Sequence, residues 1–191
     1  MEKLLNKTDN KPKVIFVGAH PDDIELGCGG TIPRFVEEGY EVWCVYLTKG
    51  EKGQVTGDDP KARLNESTEA CMTLGVDKQK IIFGDFEDTC IPNSIETIHF
   101  LEQFYFGDPT NLYGVFIPNA EEKHQDHRAA AEACITAFRY VPRMLAYESP
   151  STTSAFNGTS FVDITRYVKI KSRALKCHES QIRRNKIYFE Y

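Results

Sequence analysis

Two short clusters in this sequence hold the residue types that do metal and acid–base chemistry. The first is His20-Pro21-Asp22-Asp23, which ends the apolar run Val14-Ile15-Phe16-Val17-Gly18-Ala19. The second is His124-Gln125-Asp126-His127, which follows the apolar run from Leu112 to Pro118. A His and an Asp three residues apart at a strand exit can face one metal ion, because the chain turns sharply enough there to converge them. Two adjacent carboxylates then divide the labour, one binding the metal and the other holding or deprotonating its water. Two His and one Asp make a three-ligand site for a divalent ion, with zinc the first choice and positions left open for water and substrate. Zinc lowers the pKa of its water to roughly 7, which supplies hydroxide for attack on a carbonyl at neutral pH. Such a reaction also needs a base, an oxyanion donor and an acid for the leaving group. Asp22 and His124 are of the right type for these tasks, and Asp126 can hold the His124 ring in one tautomer.

Each cluster taken alone has a plainer reading. Asp22 and Asp23 can cap backbone N–H groups at an ordinary strand-to-helix turn, and His124 and His127 can open a helix. Two such clusters after two buried strands favour the metal, because the exits of parallel strands lie on one edge of a sheet. Other residues keep the plainer reading. His178 falls within a helical pattern and reads as a packed or hydrogen-bonded structural residue. Gly27, Gly29 and Gly30 do not spell a dinucleotide fingerprint and serve a tight turn beside the metal. Arg63 can pair with Glu66 on a helix surface. Glu25 either supports the site or is a helix N-terminal acid. Tyr105, Phe106, Tyr113 and Phe116 read as core.

The elements that must position these groups follow from periodicity. Strands are expected at Lys13 to Ala19, Glu41 to Thr48, Lys80 to Phe83, Leu112 to Pro118 and Met144 to Glu148. Helices are expected from about Gly29 to Glu38, ended by Gly39, and from Pro60 to Gly75, with Leu64, Ser67, Cys71 and Leu74 on one face. Another runs from Ile95 to Phe106, stopped by Asp108-Pro109, and the alanine-rich stretch from Arg128 to Phe138 is a further one. Lys49 to Asp59 and Ser149 to Ser160 read as polar loops, and Gly84 to Thr89 as an acidic turn. Phe161 to Thr165 reads as a short strand turning into a last helix, which reaches about Arg183. Strands alternating with helices predict a mostly parallel sheet with helices on both faces.

The composition narrows the partners. With 191 residues the chain is long enough for one domain with its own core, and 41% hydrophobic and 27% charged residues fit a soluble globular protein. A net charge of −5 argues against nucleic acid, which needs a basic surface. No apolar run approaches the roughly 18 to 20 residues of a membrane span, and Met1 to Lys13 is too polar for a signal peptide. Six scattered cysteines with no C-x-x-C pair read as reduced thiols of a cytoplasmic protein.

The stretch Ala19-His20-Pro21-Asp22-Asp23-Ile24-Glu25-Leu26-Gly27-Cys28-Gly29-Gly30-Thr31, together with His124-Gln125-Asp126-His127-Arg128, resembles the LmbE-like (PIG-L) family of zinc-dependent N-acetylglucosamine deacetylases. The resemblance also takes in Leu47 to Glu51, Arg63 with Glu66, Leu74 to Val76, Phe161 to Thr165 and Lys176 to Gln181. It implies a single Rossmann-like α/β domain over residues 1–191 that removes the acetyl group from an N-acetylated amino sugar. By the same resemblance His20, Asp23 and His127 are metal ligands, with zinc, Fe2+ or another divalent ion as the cofactor. Asp22 is the base, His124 stabilises the oxyanion and protonates the leaving amine, and Asp126 orients His124. Arg63 contacts the substrate and Asp88 binds sugar hydroxyls. Members continue past the His-x-Ser-Gln segment, whereas this sequence stops at Tyr191, so by the resemblance part of the aglycone side of the pocket is absent, supplied by a neighbouring subunit as in a homo-oligomer, or carried by chain beyond this sequence. Arg139 and Arg143 both match a further family Arg equally well. Two rivals remain, a non-catalytic metal- or sugar-binding protein on the same fold and a zinc hydrolase of another amide or ester.

Overall fold

The apolar runs become strands covered on both faces, as a parallel sheet between helix layers requires. A computed structural model describes residues 11–105 and 111–189. Its strands are β1 (Lys13–Gly18), β2 (Glu41–Thr48), β3 (Ile81–Phe86), β4 (Leu112–Pro118) and β5 (Met144–Tyr147). They form one sheet in the order β3-β2-β1-β4-β5 with every pairing parallel. The order reverses between β1 and β4, and the crevice at such a reversal is where open α/β sheets bind ligands.

Successive residues of a strand point to opposite faces, and β1 divides its side chains in this way. Val14 and Phe16 join a core with Ile24 of α1 (Asp23–Cys28), Ile32 of α2 (Thr31–Glu37), Cys71 of α3 (Ala62–Thr73) and Ala174 of α6 (Val168–Leu175). Ile15 and Val17 join the other core with Leu101 of α4 (Ile95–Glu102) and Ala130, Ala133 and Cys134 of α5 (Gln125–Ala137). The small residues of α5 let it lie close against β4 and α4. The expected α/β architecture with helices on both faces is therefore present.

Several boundaries differ from those expected. A short helix, α1, begins at Asp23, where the sequence suggested only a turn. It is too brief to show a hydrophobic period, and its glycines allow close approach: a Cβ on Gly27 would sit 2.4 Å from the Tyr147 ring. Strand β3 runs on through Gly84 to Phe86, so the acidic turn starts later. Helix α5 starts at Gln125 with His124 as its N-cap, which puts His127 inside the first turn. Phe161 to Thr165 forms no strand, and Phe161 is 88% exposed. The last helix is broken by Lys176–His178 into α6 and α7 (Glu179–Arg184). Phe106 and the stop at Asp108-Pro109 lie outside the described residues. Among the described residues, no helix is long and apolar enough to cross a membrane.

The break at His178 has a polar cause. Glu25 of α1 is fully buried and accepts hydrogen bonds from Tyr46 of β2 (2.8 Å) and Ser67 of α3 (2.8 Å). His178 Nε2 lies 3.2 Å from the same carboxylate, at ion-pair distance but not aligned for a hydrogen bond. Burial opposes charge on this imidazole, yet Glu25 beside it raises its pKa above the ordinary value. One carboxylate thus ties α1, β2, α3 and the α6–α7 corner together under the sheet edge, and His178 is the structural residue the sequence suggested. Removing one partner of a buried ion pair leaves an uncompensated charge and costs about 3–5 kcal/mol. Glu25→Ala should lower the unfolding free energy by that amount in a urea titration, and a loss below about 1 kcal/mol would show the pair to be dispensable.

Candidate active site

The carboxyl ends of β1 and β4 carry the two chemical clusters to one crevice. At the exit of β1, the Asp23 carboxylate accepts the backbone N–H groups of Ala19 (2.9 Å) and His20 (2.8 Å) through Oδ2. This closes the turn and leaves Oδ1 pointing across the crevice, 3.2 Å from His127 Nε2. His20 Nδ1 lies 3.3 Å from His127 Nε2 and 3.6 Å from Asp23 Oδ2. A tetrahedral ion with ligands at about 2.0–2.1 Å has ligand-to-ligand edges of about 3.3–3.4 Å. The two imidazole nitrogens stand at such a separation, whereas Asp23 meets them through different oxygens, Oδ2 toward His20 and Oδ1 toward His127. Among the described residues, the groups whose ligand atoms all converge within 4.8 Å are His20, His124 and His127, and His20, Asp88 and Asp126.

The charge around these donors is unbalanced toward the negative. Burial penalises a charged His20, but Asp126, Asp23 and Asp88 outweigh it and raise its pKa well above the ordinary value. Burial likewise opposes charge on His127, and Asp23 and Glu122 still lift it to about 9. The Asp23 carboxyl, despite its own burial, is held well below the usual range by His127 and His20. His124 behaves differently. Its burial and the neighbouring His20 and His127 lower its pKa, which favours the neutral ring. Its Nδ1 accepts the backbone N–H of Asp126 (3.2 Å), which assigns the ring proton to Nε2.

Asp126 requires a correction. Its carboxylate was expected to orient His124, but it instead accepts from Thr89 N–H (2.7 Å) and Ile91 N–H (3.3 Å) and lies 3.0 Å from His20 Nε2. Only its backbone N–H serves His124. As the second residue of α5, Asp126 has a free N–H to offer its N-cap, while its side chain turns back toward β3. Asp88 reaches the cleft wall with both oxygens already engaged, one 3.1 Å from His20 Nε2 and one accepting Lys52 N–H at 2.9 Å. Burial opposes its ionisation, but His20 still brings it down to about 2.

Arg63 is 4% exposed and does not pair with Glu66, which instead accepts from Ser180. Its guanidinium donates to the carbonyls of Gly50 (2.9 Å) and Pro21 (3.1 Å) and to Asp22 Oδ2 (3.2 Å). Asp22 itself has φ 143° and ψ −26°, a backbone conformation that non-glycine residues avoid. Burial pushes its carboxyl pKa up, and Arg63 offsets part of that rise. Neither Arg139 nor Arg143 lines the cleft: Arg139 pairs with Glu102, and Arg143 stacks over Tyr113.

One residue escaped the sequence reading. Glu122, 3% exposed, lies in the loop after β4 that reads as merely polar. Its Oε2 lies 3.4 Å from His127 Nδ1, and Ser149, Ser151 and Thr152 donate to the same carboxylate. A carboxylate behind the far nitrogen of a metal-binding histidine fixes its tautomer and raises its basicity. The only sequence signal was an acid five residues before His127. The cleft in front of these groups encloses about 370 Å³. Its floor is acidic and imidazole-rich, and its far wall is Gln181, Arg184, Tyr188 and Phe189 from the C-terminal segment.

Residues 15–138 match the family described as PIG-L, GlcNAc-PI de-N-acetylase. The chain is similar to the uncharacterized deacetylase YaiS of Escherichia coli, with 31% identity over 182 residues, 93% of this chain and 96% of that one. It is also 31% identical over 207 residues to diacetylchitobiose deacetylase of Thermococcus kodakarensis, covering 93% and 76% of the two chains. The structure of N,N'-diacetylchitobiose deacetylase from Pyrococcus horikoshii superposes with a TM-score of 0.76 at 28% identity over 93% of this chain and 73% of that one.

Two measurements follow from this geometry. Metal-binding imidazoles must be neutral, whereas the raised pKa values keep His20 and His127 charged at pH 7 in the ion-free protein. Loading a divalent ion should therefore release about two protons, and affinity should fall as pH drops. Calorimetry in buffers of different ionisation heat counts those protons, and a count of zero would remove the imidazoles from the ligand set. Glu122→Gln should weaken metal binding by about 10–100-fold, read as a dissociation constant against a competing chelator.

Proposed function

This chain belongs to the PIG-L family, and from that premise we propose that it is a zinc-dependent N-deacetylase of N-acetylglucosamine-type amino sugars or glycoconjugates. The observation that carries the reading is the single crevice lined by His20, Asp22, Asp23, His124 and His127, in which the two imidazoles of His20 and His127 lie 3.3 Å apart and the Asp23 carboxylate reaches each of them, through Oδ2 at 3.6 Å and Oδ1 at 3.2 Å. The deacetylase names of its relatives support the same reading.

A divalent ion held by His20, Asp23 and His127 would polarise the acetamide carbonyl and lower the pKa of a water to roughly 7. Asp22 then takes a proton from the attacking water. It lines the cleft, and its carboxyl is made more basic by burial while Arg63 favours its charged form. As the carbonyl oxygen gains charge, the His124 Nε2–H donates a hydrogen bond to it. The neutral ring suits this task, because its proton is already on the nitrogen that is free of the Asp126 backbone. When the C–N bond breaks, the leaving nitrogen needs one proton. The resemblance gives this step to His124, but a neutral His124 whose Nε2–H serves the oxyanion leaves the proton collected by Asp22 as the one at hand, and in this reading Asp22 delivers it. Acetate and a free amine result. Lone pairs of Asp88 not used by His20 and Lys52 are left to receive sugar hydroxyls at the cleft wall.

Acetate release from a panel of N-acetyl and O-acetyl sugars, with and without a chelator, tests the reading. Chelator-sensitive release from N-acetylglucosamine derivatives is the expected outcome. Asp22→Asn should keep the metal and lose about 10²–10⁴ in kcat, and His20→Ala should lose both metal and turnover. Turnover by Asp22→Asn at the wild-type rate would overturn the base assignment. Stoichiometric metal with no acetate from any sugar would overturn the deacetylase reading.

A further inference from the structure

We infer that the substrate carries a negatively charged group, a carboxylate or a phosphate, on the part that lies beyond the sugar, and that Arg184 receives it; the inference rests on the deacetylase reading and specifies its substrate class. One cation at the cleft has no counter-charge. Lys52, on the cleft wall, pairs with Glu87 at 2.6 Å, and Arg63 pairs with Asp22 at 3.2 Å. Arg183 is held by both oxygens of Asp58 at 2.7 Å. Arg184 also lines the cleft, and among the described residues no carboxylate lies within ion-pair distance of it.

The Arg184 guanidinium is nonetheless fixed in place. Nη1 donates to the Gly53 carbonyl (3.2 Å), and the same carbonyl accepts from Nε2 of Gln181 (3.1 Å), one turn earlier in α7. The bidentate pair between Arg183 and Asp58 ties this turn to the loop after β2. One N–H of Arg184 is thereby spent on a carbonyl, and the rest of a fork that matches carboxylate and phosphate oxygens is left over. Its position decides which part of the substrate is charged. The floor already holds Asp22, Asp23 and Asp88, so an anion there meets carboxylates, whereas Arg184 belongs to the far wall. With the acetamide at His20, Asp23 and His127 and the sugar hydroxyls at Asp88, the far wall faces what is attached to the sugar. A second observation is independent of the cleft. Between Arg166 and Lys186 the sequence has eight Lys and Arg against one Glu, in a chain of net charge −5. The positive potential of an otherwise acidic protein is thus concentrated on the segment that supplies the far wall, and such a field raises the local concentration of anions.

Matched glycosides of N-acetylglucosamine test this, one with a neutral aglycone and two with a carboxylate or a phosphate at the same position. A charged glycoside should exceed the neutral one at least about tenfold in kcat/KM, the order of a hydrogen bond to a charged group, and the advantage should shrink as NaCl is raised. In Arg184→Gln the ratio of charged to neutral should fall to about one, and Arg184→Lys should restore part of it. A preference for either anion supports the proposal, and the better of the two names the group. Equal kcat/KM for charged and neutral glycosides would overturn it while leaving the deacetylase reading intact. A preference that survives Arg184→Gln would overturn it as well, because the anion would then be held elsewhere, the metal included. Absence of acetate from every glycoside would count against the deacetylase reading instead. Calorimetric binding of the same glycosides to the metal-loaded protein needs no turnover and decides that case. Tighter binding of a charged glycoside, lost in Arg184→Gln, is the expected result, and equal affinities would remove Arg184 from the role.

Discussion

The architecture depends on keeping several carboxylates out of water at one sheet edge. Asp23, Asp88, Glu122 and Asp126 are each nearly inaccessible and each face His20 or His127. Burying this much negative charge is tolerable only if cations or dense hydrogen bonding answer it. His20 does so with both ring nitrogens, Nδ1 toward Asp23 and Nε2 toward Asp88 and Asp126. Backbone N–H groups of three chain segments, at Ala19 and His20, at Lys52 and at Thr89 and Ile91, meet the aspartates, and the hydroxyls of Ser149, Ser151 and Thr152 meet Glu122. The crevice is therefore preorganised for positive charge by its supports rather than by the three donor residues alone.

The same supports explain which parts were legible in the sequence. β2 and β4 read directly, because buried β-branched runs need no partner to be recognised, and the reversal between β1 and β4 follows once they are adjacent. His20, Asp22, Asp23, His124 and His127 were visible because their types and spacing are unusual at strand exits. What was hidden is which oxygen meets which nitrogen. Asp126 lies beside His124 in sequence, but the helix that starts at Gln125 rotates its carboxylate toward His20. Glu122 was hidden because a lone acid in a polar loop carries no signal until the loop after β5 folds over it. The corner at His178 was hidden for a similar reason, since Glu25, the residue it meets, is more than a hundred positions away.

Backbone strain falls where loops meet the crevice. Asp22 follows β1 and Thr89 follows β3, and they are the two non-glycine residues with positive φ among those described. Each is held by a buried charged side chain from a helix: Arg63 of α3 for Asp22, and Asp126 of α5 for the Thr89 N–H. Helices from opposite faces of the sheet thus reach over its edge to restrain loops that strand geometry alone would leave free. Placing this work on helix side chains keeps the groups of the crevice attached to the most rigid parts of the fold.

Because β1 and β4 are neighbours in the sheet but distant in the chain, His20 and His127 meet across a separation of 107 residues. Neither half of the polypeptide can assemble the cluster, and during synthesis on a ribosome it cannot exist until α5 has emerged and β4 has docked against β1. The cluster is thereby completed late in the life of each molecule, and a chain interrupted before α5 would hold only half of it.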